Sequence, residues 1–144
     1  MGKTGFWQRV KEGAHISNFV IFNMKPTMNN NFAFDRKLYS TRRVIRHVRA
    51  TVTDPAKRQA FDAWYSREHL PDALKSFGAA KAWRYWSLTD PSLHHAMYQF
   101  SDQAALDRAM DGPHLKRLVA DFDRDWPGVT RTREALVLAE ELGP

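Results

Sequence analysis

The stretch Trp64-Tyr65-Ser66-Arg67-Glu68-His69-Leu70-Pro71 sets an imidazole, a carboxylate and a phenol within two helical turns and ends on a proline. Residues i, i+1, i+4 and i+5 share one helical face, so Phe61, Trp64, Tyr65, Glu68 and His69 are expected to line a single wall. Histidine exchanges protons near neutral pH, and a wall of aromatic rings can hold a flat apolar compound against it. His69 is therefore the candidate general acid/base, with Glu68 or Arg84 available to set its tautomer or bind an anionic oxygen. A structural role is equally open: the imidazole can bond a carbonyl that Pro71 leaves without an amide donor and so close the helix. Tyr65 and Tyr98 join the candidate site because a buried hydroxyl must find a partner. Large aromatics on helices mostly pack cores, which is the competing role for Trp64 and Tyr65.

Other chemistries find no support in the sequence. It contains no cysteine, which excludes a disulfide framework, a thiolate zinc site and a cysteine nucleophile. There is no glycine-rich phosphate loop, no Gly-x-Ser-x-Gly elbow and no zinc signature, so no metal or other cofactor is expected. His94 and His95 sit beside a turn and read as a solvated tip. Asp121, Asp123 and Asp125 read as a solvated helix face, and Arg84 as a surface residue or the partner of an acid such as Glu134.

The elements that must position these residues follow from period and punctuation. Residues 41–52 are rich in β-branched side chains and predict a strand with Ile45, His47 and Arg49 on one face and Val44, Arg46, Val48, Ala50 and Val52 on the other. Asp54-Pro55 then starts a helix, with a capping oxygen followed by a proline at the first helical position. That helix carries the aromatic wall, kinks or breaks at Pro71, and stops at Gly78. A strand through Trp83-Arg84-Tyr85-Trp86 and another over 94–100 flank the turn Thr89-Asp90-Pro91-Ser92 and form a hairpin. A second helix, capped by Ser101 and interrupted at Gly112-Pro113, is expected to bury Ala105, Leu106, Met110, Leu115, Leu118, Val119, Phe122 and Trp126. Residues 129–138 supply the last strand.

The order βαββαβ predicts an α+β, ferredoxin-like fold: a four-stranded antiparallel sheet with two helices on one face. The other sheet face would carry Trp83 and Tyr85, or Arg84 and Trp86, and is too apolar to stand open to water. A homodimer packed sheet on sheet is the expected remedy.

Charge separates the chain into two parts. The net charge is +6, yet up to Arg46 there are nine Lys or Arg against two Asp or Glu, and beyond it thirteen against fourteen. Residues 1–41 thus read as a basic, poorly ordered or non-native arm, with Met24 and Met28 as possible downstream starts, and residues 42–140 as the domain. The domain has no electrostatic case for nucleic acid. The apolar patch over 16–22 is too short to span a bilayer and lacks a cleavage site, so a cytoplasmic protein is expected.

The aromatic pair followed by Glu68-His69-Leu70-Pro71, the turn at Gly78 leading to Arg84-Tyr85, and Tyr98 on the third strand resemble the EthD-like proteins of the dimeric α/β-barrel superfamily. The likeness spans about residues 43–138. It implies a homodimeric enzyme acting by acid/base chemistry on a hydrophobic, aromatic or polyketide-like compound, as a cofactor-free monooxygenase, isomerase or dehydratase. In that reading His69 is catalytic, Tyr65 and Tyr98 orient substrate oxygens, Trp64 and Trp86 wall the pocket, and Arg84 contacts the ligand. Two alternatives remain: a non-catalytic dimeric ligand-binding or stress-related protein of the same fold, and a haem-binding protein, for which haemin titration is the check.

Overall fold

Alternation is visible in the first strand, β1 (Val44–Thr51), where Val44, Arg46, Val48 and Ala50 are buried while Ile45, His47 and Arg49 face the other way. The computed structural model describes residues 36–144, so most of the arm expected over 1–41 lies outside the described residues. A four-residue helix, α1 (Arg36–Tyr39), precedes β1. As expected, Asp54 accepts from the amide of Ala56 at 2.9 Å and Pro55 opens a single 3-10 turn. The chain continues as α2 (Arg58–Trp64), a π-helical turn over Tyr65–His69, and α3 (Leu70–Phe77). Gly78 closes α3 at φ +61°, a left-handed conformation that other residues adopt at a cost.

Two further strands, β2 (Lys81–Trp86) and β3 (Leu93–Phe100), form the expected hairpin, and its turn is held by Ser87 and Asp90 side chains accepting backbone amides. Next come α4 (Gln103–Asp111), α5 (Pro113–Asp125) and β4 (Thr130–Val137), with extended Gly112 at ψ 160° separating the two helices. The N-cap of α4 is Asp102, not Ser101: Asp102 has extended φ/ψ and its carboxylate accepts from Ala105 at 2.8 Å. Asp102→Ala should cost about 1 kcal/mol in chemical denaturation, and Ser101→Ala almost nothing. Equal losses would return the cap to Ser101.

Strand order is β2-β3-β1-β4 with every neighbouring pair antiparallel, the ferredoxin-like arrangement. The buried face of β1 joins His94, Ala96, Tyr98 and Phe100 of β3 beneath a helix layer that contributes Phe61, Tyr65, Ala73, Leu106, Met110, Leu115, Leu118 and Phe122. Two surface expectations change. His94 is 1% exposed and packs edge-on against Phe61 and Trp86, because period-two alternation places it on the core face. Asp121, Asp123 and Asp125 are ion-paired rather than simply solvated, Asp121 with Arg117 and Arg124, Asp123 with Arg131 and Asp125 with Arg124. The opposite sheet face carries Ile45, His47, Trp83, Tyr85, Met97 and Leu136, with Tyr85 52% and Leu136 44% exposed.

Candidate functional site

The site begins with a change of helical pitch. The amide of Leu70 bonds Tyr65 O, an i to i−5 link, and Pro71 follows without an amide to donate. The expected break at Pro71 is thus replaced by a π turn that absorbs the missing donor while the helix continues. Tyr65 and His69 stand at the two ends of this turn, on its inner side, their rings 4.9 Å apart. Glu68, expected on the same wall, is exposed and leaves the group, because the wider turn rotates it toward solvent.

His69 stacks on Trp64 at 4.7 Å and 22° and meets the edge of Phe122 at 5.6 Å. Burial, reinforced by the nearby Arg131 cation, pushes its pKa down to about 4, so the ring is neutral at neutral pH. Across from it, on β3, Tyr98 places its hydroxyl 3.2 Å from that of Tyr65. Desolvation raises the pKa of both phenols, and they remain protonated hydrogen-bonding groups. These three side chains share a cavity of about 30 Å³ between sheet and helices, whose lining also includes Phe77, Leu115 and Leu118.

Trp64, Tyr65, His69 and Tyr98 are therefore brought together, and Arg84 and Trp86 are placed elsewhere. Arg84 forms a two-pronged ion pair with Asp62 of α2, and Trp86 Nε1 donates to the same carboxylate at 2.8 Å. This replaces the expected pairing of Arg84 with Glu134 or with solvent. The Arg84 and Trp86 hydrogen bonds hold the Asp62 carboxyl below the usual carboxylate range. Trp86 and Asp62 line a separate groove of about 370 Å³ with Arg58, Gln59, Ser87 and Pro91, which contains no histidine or tyrosine. Among the described residues, no group of three His, Cys, Asp or Glu side chains could hold a metal ion. No helix among them is long and apolar enough to cross a membrane.

No family model and no curated protein matches the sequence. Solved structures do match. SnoaB, a cofactor-independent oxygenase from Streptomyces nogalater, is 16% identical at a TM-score of 0.56, with 71% of this chain and 98% of that one covered. An ethyl tert-butyl ether D (EthD) family protein from Bacillus halodurans is 19% identical at 0.53, covering 69% and 99%. HapK from Hahella chejuensis is 21% identical at 0.51, covering 71% and 94%. The chain shares the ferredoxin-like fold of these structures.

Within this ferredoxin-like fold, the cavity also holds residues to which the sequence gave no role in the site: Arg46 of β1 and Arg131 and Arg133 of β4. Arg46 is 2% exposed, hydrogen-bonds the sulfur of Met110 and lies 5.7 Å from the Phe77 ring centre. Arg131 stacks over Phe122 at 3.8 Å and pairs with Asp123. The available signal was alternation: Arg131 and Arg133 share a face of β4, and Arg46 lies between buried valines.

Proposed function

We propose that the chain is a homodimeric, cofactor-independent enzyme of the EthD-like kind. Its substrate is an aromatic or polyketide-like compound with an acidic C–H or phenolic O–H. His69 removes that proton, and oxygenation, isomerisation or dehydration follows from the resulting anion. The observation that carries this reading is the uncharged, buried imidazole of His69 sharing one cavity with the Tyr65 and Tyr98 hydroxyls. The neutral imidazole offers a free lone pair to the substrate proton, as a weaker base than an ordinary histidine because of burial and the Arg131 charge, and two protonated phenols can orient the substrate's oxygen. Trp64 fixes the plane of the imidazole by stacking. Arg84 and Trp86 act at one remove: through Asp62 they hold the helix whose next turns carry Tyr65 and His69.

The likeness to SnoaB, whose chemistry needs no cofactor, supports this choice of reaction class. Ligand pockets generally enclose roughly 300–1,000 Å³, and this cavity of about 30 Å³ is small by comparison. Substrate entry therefore parts the helix layer from the sheet. Trp83, Tyr85, Met97 and Leu136 on the uncovered sheet face favour a second copy as the dimer partner.

The test pairs native mass spectrometry with proton exchange in D2O against a panel of enolisable aromatic ketones and phenols. A dimer that accelerates deuterium uptake at the acidic position of one panel class, read by NMR, is the expected result. The competing reading, a dimeric binding protein without activity, predicts retained ligand mass and no exchange. A monomer with neither ligand nor exchange would remove both.

A further inference from the structure

The cavity that the proposed function uses is strongly cationic, and this bears on the charge of its occupant. Among the described residues, its lining contains Arg46, Arg131 and Arg133 and no aspartate or glutamate. In the β1–β4 register Arg131 pairs with Ala50, Arg133 with Val48 and Ala135 with Arg46, so all three guanidiniums rise from neighbouring positions on the helix-facing side of the sheet. Tyr98 stands directly across β1 from them, opposite Arg46.

Among the described residues, Asp123 pairs with Arg131 from an exposed position, and no acidic side chain is paired with Arg133. Nη1 of Arg133 is buried and has no hydrogen-bond partner among the described residues. Burial and mutual repulsion push Arg46 and Arg133 down to about 10, which still leaves both charged at neutral pH. A buried cation without a counter-charge is destabilising, and a ligand that supplies the missing charge relieves that cost. Guanidinium forks match planar oxyanions such as carboxylates by paired N–H donors.

We infer that the cavity is an oxyanion site: a small organic anion, entering as a carboxylate or formed there as an enolate or phenolate, seats its charged oxygens against Arg46, Arg131 and Arg133 beside the Tyr65 and Tyr98 hydroxyls. This rests on the cavity being the ligand site of the proposed function and adds the charge of the occupant. A cavity of about 30 Å³ matches one such head group, and the remainder of a larger ligand requires the helix layer to part.

The experiment compares thermal shifts of the full chain with anions and their neutral isosteres: formate against formamide, and benzoate against benzamide, at constant ionic strength set with chloride. Formate and benzoate should raise Tm in a saturable way, and the two amides should not. Arg133→Met should raise the Tm of the ligand-free protein and weaken formate binding at least about ten-fold. Arg108→Met, which removes one exposed charge on α4, should leave formate binding unchanged. Arg133→Gln serves as a second variant if Arg133→Met does not fold. Equal shifts from acid and amide, no shift from either anion, or undiminished binding in the Arg133 variants would overturn the assignment. Because the readout is binding, absent proton exchange defeats the enzymatic reading alone, and an absent anion shift defeats this one alone.

Discussion

Replacing His69 with alanine should lower the rate of substrate proton exchange by about 10²–10⁴-fold, the usual range for losing a positioned general base. The substitution removes the only imidazole among the described residues that line the cavity, while the Tyr65–Tyr98 hydroxyl pair stays in place. Trp64 loses its stacking partner but keeps its ring contacts with Phe61 and Phe122, so the fold should persist with a near-native circular dichroism spectrum. The pH profile carries independent information. With the His69 pKa pushed down to about 4, the base is already deprotonated well below neutrality. The profile of kcat/KM should then stay level from about pH 8 to about pH 5 and fall only below, instead of bending near the ordinary histidine value. An unchanged exchange rate in the alanine variant would take His69 out of the mechanism and return it to the structural role that the sequence also allowed.

Mild acid should destabilise the protein before its carboxylates titrate. Burial lowers the pKa of His69 to about 4 and that of His94 to about 3, both from 6.5. The unfolded chain therefore binds protons that the folded chain refuses as pH falls through 6.5 toward those lower values. The stability is fully present above about pH 6.5 and is lost progressively below it, by about 2 kcal/mol per histidine at pH 5. Asp62 and Asp72, whose pKa values are held down by Arg84 and Arg117 respectively, lose their contribution only at still lower pH. His94 is the sharper case, since neither ring nitrogen has a hydrogen-bond partner among the described residues. His94→Leu should raise Tm at neutral pH and remove about half of the Tm loss between pH 7 and pH 5. A variant with the same slope as the parent protein would place the acid sensitivity elsewhere.

The same residues show why the site was only partly legible. Tyr65, His69 and Tyr98 could be picked out because helix spacing and strand alternation are local rules, and each side chain carries an obvious chemical group. Glu68 was misplaced by assuming regular pitch, and the π turn moved it outward. The arginines were harder: nothing within Thr130-Arg131-Thr132-Arg133 says which face of β4 meets the helices, and only the β1 register answers that. Arg84 has a comparable history, because its acid, Asp62, lies on a helix that only tertiary packing brings over β2.

What the sequence alone determined is the order of strands and helices, the faces of β1, the stops at Gly78 and Gly112, and hence the ferredoxin-like sheet. These depend on backbone propensity and on periodic burial, which neighbouring residues specify among themselves. Tertiary structure alone decided that three arginines, two tyrosines and one neutral histidine meet in a single cavity. Charge and protonation there arise from desolvation and from partners distant in the chain, and neither quantity exists until the helix layer closes on the sheet.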